Sequence, residues 1–134
     1  MSVESERSTL VLDVGKTNVK ILVMSKAGAV LDTERLDNQS VDGPPYPHPD
    51  VERIWQWLLQ TAGNFAKCYA IDAIVPTTHG CTAALVRDEE LVLPILDYEV
   101  EAPDDAKAAY EAVAPTFAET QTPHLPGGQN WGRQ

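Results

Sequence analysis

The stretch Asp13-Val14-Gly15-Lys16-Thr17-Asn18-Val19-Lys20 gathers residue types that can handle phosphate. It follows the apolar run Thr9-Leu10-Val11-Leu12 and leads into a β-branched run, Val19–Met24, so it reads as the turn between two strands. Asp13 closes the first run and places a carboxylate where a hydrated magnesium ion can be held. Gly15 lets the backbone turn tightly and approach a ligand closely. Backbone N–H groups with the Thr17 and Asn18 side chains can donate to phosphate oxygens, as in other anion-cradling turns. Lys16 and Lys20 add positive charge. The same residues also fit an ordinary hairpin turn, with Asp13 and Gly15 serving turn geometry and the lysines solvated. The Walker spacing G-x-x-x-x-G-K-[ST] is absent.

The elements that must position this turn follow from pattern. Strands are expected at about 9–14, 19–25 and 29–37, joined by the turn Ser25-Lys26-Ala27-Gly28 into an antiparallel meander. The loop Asp37–Pro49 carries Pro44, Pro45, Pro47, Pro49 and Gly43, and no regular structure is expected there. Asp50 offers an N-cap to a helix over about 50–68, whose apolar stripe should bury Trp55, Leu58, Leu59 and Phe65. Ile71–Val75 is a strand reached through that helix, hence parallel to the first. Thr77-Thr78-His79-Gly80 follows, then a hairpin-like pair, Thr82–Val86 and Leu91–Leu96, about the polar turn Arg87–Glu90. Pro103-Asp104-Asp105 opens an alanine-rich helix to about Val113, stopped by Pro115, and 116–134 reads as irregular. The β-β-β-α-β order with a mixed sheet is an α/β arrangement.

Composition bounds the alternatives. The 134 residues make one ordinary domain or a piece of a larger one, and 43% hydrophobic with 22% charged residues is globular. No apolar run approaches the roughly 18 residues of a membrane-spanning helix, which argues against a membrane protein. The polar, acidic start Met1–Ser8 is wrong for a secretory signal, so a cytoplasmic protein is expected. A formal net charge of −10 argues against a nucleic-acid partner. The acidic segment Asp97–Glu119, with Lys107 its single base, reads as a solvated helix and its flanks. Cys68 and Cys81 match no metal or redox spacing and are expected as small, buried, reduced thiols. His48, His79 and His124 are too scattered for a metal site, so no structural metal is expected. Trp131 stands in a glycine-rich end without a capping element, and the chain is expected to be cut short.

Leu10–Met24 resembles the first phosphate loop of the actin, sugar-kinase and Hsp70 superfamily, which begins D-x-G-[TK]-T/S on a β-hairpin. The ordered set of segments is more specific. The hairpin, a third strand, the helix with Ile54-Trp55-Gln56-Trp57, a strand leading to His79-Gly80, and Leu91–Asp97 with "V-L-P-I-L" resemble the amino-terminal domain of the FGGY carbohydrate kinases. The resemblance covers roughly residues 9–134. It implies a ribonuclease-H-like fold, ATP and Mg2+ as cofactors, and transfer of the γ-phosphoryl group to a hydroxyl of a ketose or deoxyketose such as xylulose, rhamnulose or fuculose. It places residues 1–8 in a flexible tail, 9–114 in a partial kinase domain, and 115–134 in an irregular tail continuing into the rest of the kinase.

By the same resemblance, Asp13 stands near the magnesium ion, through water, and near the reacting phosphoryl group. Gly15, Lys16, Thr17, Asn18 and Lys20 would meet the nucleotide phosphates, with both lysines replacing commoner Thr and Arg. His79-Gly80 is similar to the M-H-G or Q-H-G turn that lines the sugar pocket; the alternative is a capped turn histidine. Tyr98-Glu99 lies where members often show N-D-T-R, but the Arg is missing. Asn130 is a weaker sugar contact. The general-base Asp, the second phosphate loop and the adenosine pocket lie beyond this chain, so the catalytic residue is unknown and the isolated chain is expected to be inactive. Its partners would be a small sugar, the remaining kinase polypeptide and, around Trp131, a second copy. Two rivals remain: a non-catalytic phosphate- or protein-binding remnant, and a nuclease on the same topology, which needs clustered carboxylates around two metals.

Overall fold

The computed structural model describes residues 7–121; Asn130 and Trp131 lie outside them. The described residues fall into two compact units. One takes the chain up to Gln39 together with Asp50–His79, and the other takes Ser40–Pro49 with the chain from Gly80.

The first unit is built on one four-stranded sheet. Strands β1 (Arg7–Val14), β2 (Asn18–Ser25) and β3 (Val30–Asp37) form the expected antiparallel meander, and β6 (Ala70–Thr78) lies parallel to β1. This is the expected β-β-β-α-β order with a mixed sheet. The turn from β2 to β3 closes by Gly28 N–H donating to the Ser25 carbonyl at 2.9 Å, with Gly28 at φ 83°. β1 begins two residues earlier than its apolar run, and Ser8 within it is buried.

β6 also outruns the expected 71–75, through Pro76 to Thr78. The His79 N–H reaches the Val14 carbonyl on β1. Strand alternation then turns the amides of Thr77 and Val75 toward β1 as well. Pro76 therefore occupies a position whose nitrogen faces away from β1, where a missing donor leaves the ladder intact.

Helix α1 (Val51–Cys68) starts where expected, with the Asp50 carboxylate accepting from the Arg53 amide at 3.0 Å. It lays Ile54, Leu58, Thr61 and Phe65 on Leu10, Val19, Ile21 and Val23 of the sheet. The register pairs Leu10 with Val23, Leu12 with Ile21 and Val14 with Val19, so these six side chains share the covered face. Two expected core residues are not in it: Trp55 is 51% exposed and Leu59 50%. Each sits one position, about 100° around the helix, from Ile54 and Leu58, and one helix can bury only one stripe against one sheet. At the helix C-terminus the Tyr69 hydroxyl donates to Asp32 on β3 at 3.0 Å. That bond, then desolvation and the Asp32 charge, pushes the phenol above its ordinary pKa.

In the second unit the proline loop is not wholly irregular, because β4 (Ser40–Val41) and β5 (His48–Pro49) pair antiparallel. The expected long hairpin is reduced to β7 (Val86–Arg87) and β8 (Glu90–Leu91). Its turn residues Asp88 and Glu89 both have positive φ, which suits a tight two-residue hairpin. Leu85, Val86 and Leu91–Leu93 stay exposed, so no burial extends the pairing. α2 (Asp104–Glu111) buries no residue, in keeping with a solvated acidic helix. A short α3 (Phe117–Thr120) replaces the expected irregular stretch, started by a capping box of Thr116 and Glu119. Donation from the Thr116 amide, then from its hydroxyl, holds the Glu119 carboxyl below its ordinary value. Cys68 and Cys81 are free and exposed, not buried: α1 turns Cys68 away from its packed stripe, and Cys81 lies in a loop at φ 66°. No helix among the described residues is long and apolar enough to cross a membrane.

Two outcomes follow from this packing. Ile54→Ala should cost about 2–5 kcal/mol of unfolding free energy, whereas Trp55→Ser should cost less than about 1 kcal/mol; urea unfolding of both variants checks that the buried stripe runs through Ile54, Leu58 and Phe65 and leaves Trp55 out. For Tyr69, a raised folded-state pKa means the neutral phenol is the form the fold favours. Its contribution is complete below pH about 10 and fades as the pH rises through the folded value. Tyr69→Phe should lower the thermal midpoint at neutral pH and flatten this alkaline limb, measured by melting across pH 8–11.

Candidate functional site

The β1–β2 turn is a fastened structure. The Gly15 N–H donates to the Asn18 carbonyl at 3.0 Å and closes it. A Cβ on Gly15 would stand 2.7 Å from that same carbonyl oxygen, closer than real Cβ atoms come, so the turn requires glycine. Asn18 Nδ2 donates to Thr17 Oγ1 at 3.0 Å, which ties the two polar side chains to each other. Asp13 and Lys20 face each other across the β1–β2 ladder, with Thr77 beside Asp13 on the other flank. Alternation places Asp13 and Lys20 on the sheet face opposite the one α1 covers. Asp13 is half-buried, and no ion pair or hydrogen bond within the described residues takes up its carboxylate.

The parallel partner brings in the second loop. The Thr78 hydroxyl donates to the Val14 carbonyl at 2.9 Å, and the His79 N–H reaches the same oxygen at 3.4 Å. Asp13, Gly15, Lys16, Thr17, Asn18 and Lys20 thus share one turn, with His79 at the end of the adjacent strand, half-buried. In open α/β sheets the carboxyl ends of parallel strands are where ligands bind.

The remaining expected residues belong to the second unit. Gly80 is exposed. Tyr98 and Glu99 sit in a turn organised by Asp97. One carboxylate oxygen of Asp97 accepts from the Glu99 amide at 3.0 Å, the other accepts from the Ser40 hydroxyl, and its own amide donates to the Pro47 carbonyl at 3.0 Å. The Tyr46 hydroxyl donates to the Pro94 carbonyl at 2.7 Å nearby. Asp97 and Asn38, both ordering loops, were not singled out by sequence pattern. Each stands just after a strand-like run, alternating before Asn38 and apolar before Asp97, which is the one signal that could have marked them. Among the described residues no group of three or more His, Cys, Asp and Glu could hold a metal ion. The carboxylate cluster that a two-metal nuclease needs is therefore not assembled by them.

No family model matches the chain, and no curated protein matches it. Solved structures do. A carbohydrate kinase from Novosphingobium aromaticivorans superposes with a TM-score of 0.88 at 32% identity, over 96% of this chain and 27% of that one. A xylulose kinase from Lactobacillus acidophilus gives a TM-score of 0.63 at 16% identity over 86% of this chain and 24% of that one. A Plasmodium falciparum glycerol kinase with ADP gives 0.62 at 10% identity, over 87% and 25%. The chain therefore spans about a quarter of the length of the kinases it resembles. Its fold is that of the amino-terminal part of sugar kinases.

The turn's dependence on glycine is directly testable. Gly15→Ala should destabilise the chain by about 1–3 kcal/mol, because the clash is with backbone and cannot be relieved by a rotamer. Amide chemical shifts of residues 15–18 and 38 should move while those of β3 stay in place.

Proposed function

We propose that this chain is the amino-terminal part of an ATP-dependent carbohydrate kinase of the FGGY type. The parent reaction transfers the γ-phosphoryl group to a hydroxyl of a ketose or deoxyketose of the xylulose, rhamnulose or fuculose kind. The single observation that carries this reading is the fastened turn Asp13–Lys20 at the carboxyl end of β1, with His79 beside it. The kinase-like fold supports it.

The residues present fit a magnesium-nucleotide. Asp13 offers a carboxylate with no partner within the described residues, suited to a hydrated divalent cation, which prefers to keep several waters. Gly15 keeps the backbone bare for close approach, Thr17 and Asn18 carry donors, and Lys16 and Lys20 bring positive charge. When bound, the ion would supply charge neutralisation at the phosphoryl oxygens. His79 would donate to or accept from a sugar hydroxyl. Gly80, Tyr98 and Glu99 are proposed as sugar contacts on the resemblance alone.

Phosphoryl transfer rests almost wholly on positioning donor, acceptor and charge together. The resemblance puts the general base, the second phosphate loop and the adenosine pocket outside the quarter of a kinase that this chain spans. The chain alone is therefore proposed to bind but not to turn over, with a small sugar and the rest of a kinase polypeptide as its partners.

Two measurements on the same sample test this. Titration with Mg·ATP should shift the amides of residues 13–20 with roughly millimolar affinity, since a few donors and two lysines act in high dielectric. Asp13→Asn should weaken the magnesium dependence of that binding. A coupled assay with ATP and ketoses should show no turnover near the roughly 1–100 s⁻¹ typical of kinases. Absence of any shift at 13–20 would count against the nucleotide site, and turnover at that rate would overturn the reading of an incomplete enzyme.

A further inference from the structure

Asn38 follows β3 and belongs to no motif, yet it is 7% exposed. Its Nδ2 donates to the Gly15 carbonyl at 2.9 Å, across 23 positions of sequence. Its backbone N–H donates to the Thr17 carbonyl, also at 2.9 Å. We propose that Asn38 is the positioning residue of the phosphate turn, setting which side of the turn presents its amides to an anion; this rests on the kinase reading above.

The argument is one of peptide geometry. A trans peptide is planar, so its C=O and the following N–H point in opposite directions. Tying the Gly15 and Thr17 carbonyls to Asn38 therefore holds the N–H groups of Lys16 and Asn18 on the far side of the turn from Asn38. Donors facing one way, with carbonyls turned from it, are what an anion requires. Register delivers the residue: Asn18 pairs with Asp37, so the residue just after β3 meets the turn itself. The side chain must be an amide of this length. A carboxylate there has no donor for the Gly15 carbonyl, and alanine leaves that half-buried acceptor without this partner.

The test compares the full chain with Asn38→Ala, Asn38→Asp and a stability control, Val23→Ala, which is buried on β2 away from the turn. Thermal melting establishes that the variants are folded. Hydrogen exchange then reads the turn, and NMR titration with Mg·ATP reads binding. Both Asn38 variants should speed exchange at Gly15 selectively and weaken Mg·ATP about three- to tenfold, the range of one lost hydrogen bond. Val23→Ala should change neither, although it melts earlier. If the parent binds and the Asn38 variants bind equally well, the positioning role is overturned while the kinase reading stands. If the parent shows no binding, the kinase reading fails. Gly15 exchange unchanged from the parent overturns the positioning role whatever the titration shows.

Discussion

The site depends on one carbonyl. Val14, the last residue of β1, has its oxygen claimed from the neighbouring parallel strand by the Thr78 hydroxyl and the His79 amide. Those contacts bring the loop after β6 to the loop after β1. They exist because β6 returns parallel through α1, so that both strands end at the same edge. An antiparallel β6 would have carried His79 to the opposite end of the sheet. The helix that enforces the crossover is held mainly by burial of Ile54, Leu58 and Phe65 on the β1–β2 face, with Arg53 donating to the Asp37 carbonyl and Tyr69 to Asp32 as polar ties to β3. Chemistry and core divide between the two faces of the same strands: Leu10, Leu12 and Val14 face α1, while Asp13 between them faces away.

Much of this was written in local pattern. The meander, the helix after Asp50 and the parallel return strand follow from periods of two and 3.6 and from a single capping carboxylate. The turn residues Asp13–Lys20 are contiguous, so finding them together demanded only that the turn form. His79 needed more, namely the parallel pairing, and that was readable because a helix separates the two strands.

What could not be read depends on contacts distant in sequence. Asn38 acts on Gly15, 23 positions away, and its neighbours in a proline-rich loop gave no periodicity to place it. Trp55 and Leu59 are apolar at helical spacing, yet which of two adjacent stripes is buried is decided by the sheet, not by the helix. The hairpin at β7 and β8 had strand-like composition on both sides of its turn. Strand propensity is mostly a measure of packing on a half-buried surface, and Leu85 to Leu93 have little of it, so the ladder stays short. Asp97 gathers Ser40, Pro47 and Glu99 into one knot, accepting from Ser40 57 positions away and donating to Pro47 50 positions away, which no window along the chain contains.

On the proposed kinase reading, Asp13 decides between two kinds of anion site. The net charge of −10 says little about it, because charges beyond about 8 Å are largely screened at physiological salt. What an anion meets is the turn itself: Lys16 and Lys20 against Asp13. A site for bare phosphate gains nothing from a carboxylate, which repels the ligand and cancels half of the local positive charge. A site for a metal-bound phosphate gains from it directly, since a hydrated divalent cation between carboxylate and phosphate turns that repulsion into attraction on both sides. The Asp13 carboxylate is half-buried and engaged by no described residue, so neither ion pairing nor turn capping accounts for its presence. Among the anion-binding readings, the magnesium-nucleotide is therefore favoured over the simple phosphate cradle, and it is favoured by the one residue of the turn that carries the wrong sign for phosphate alone.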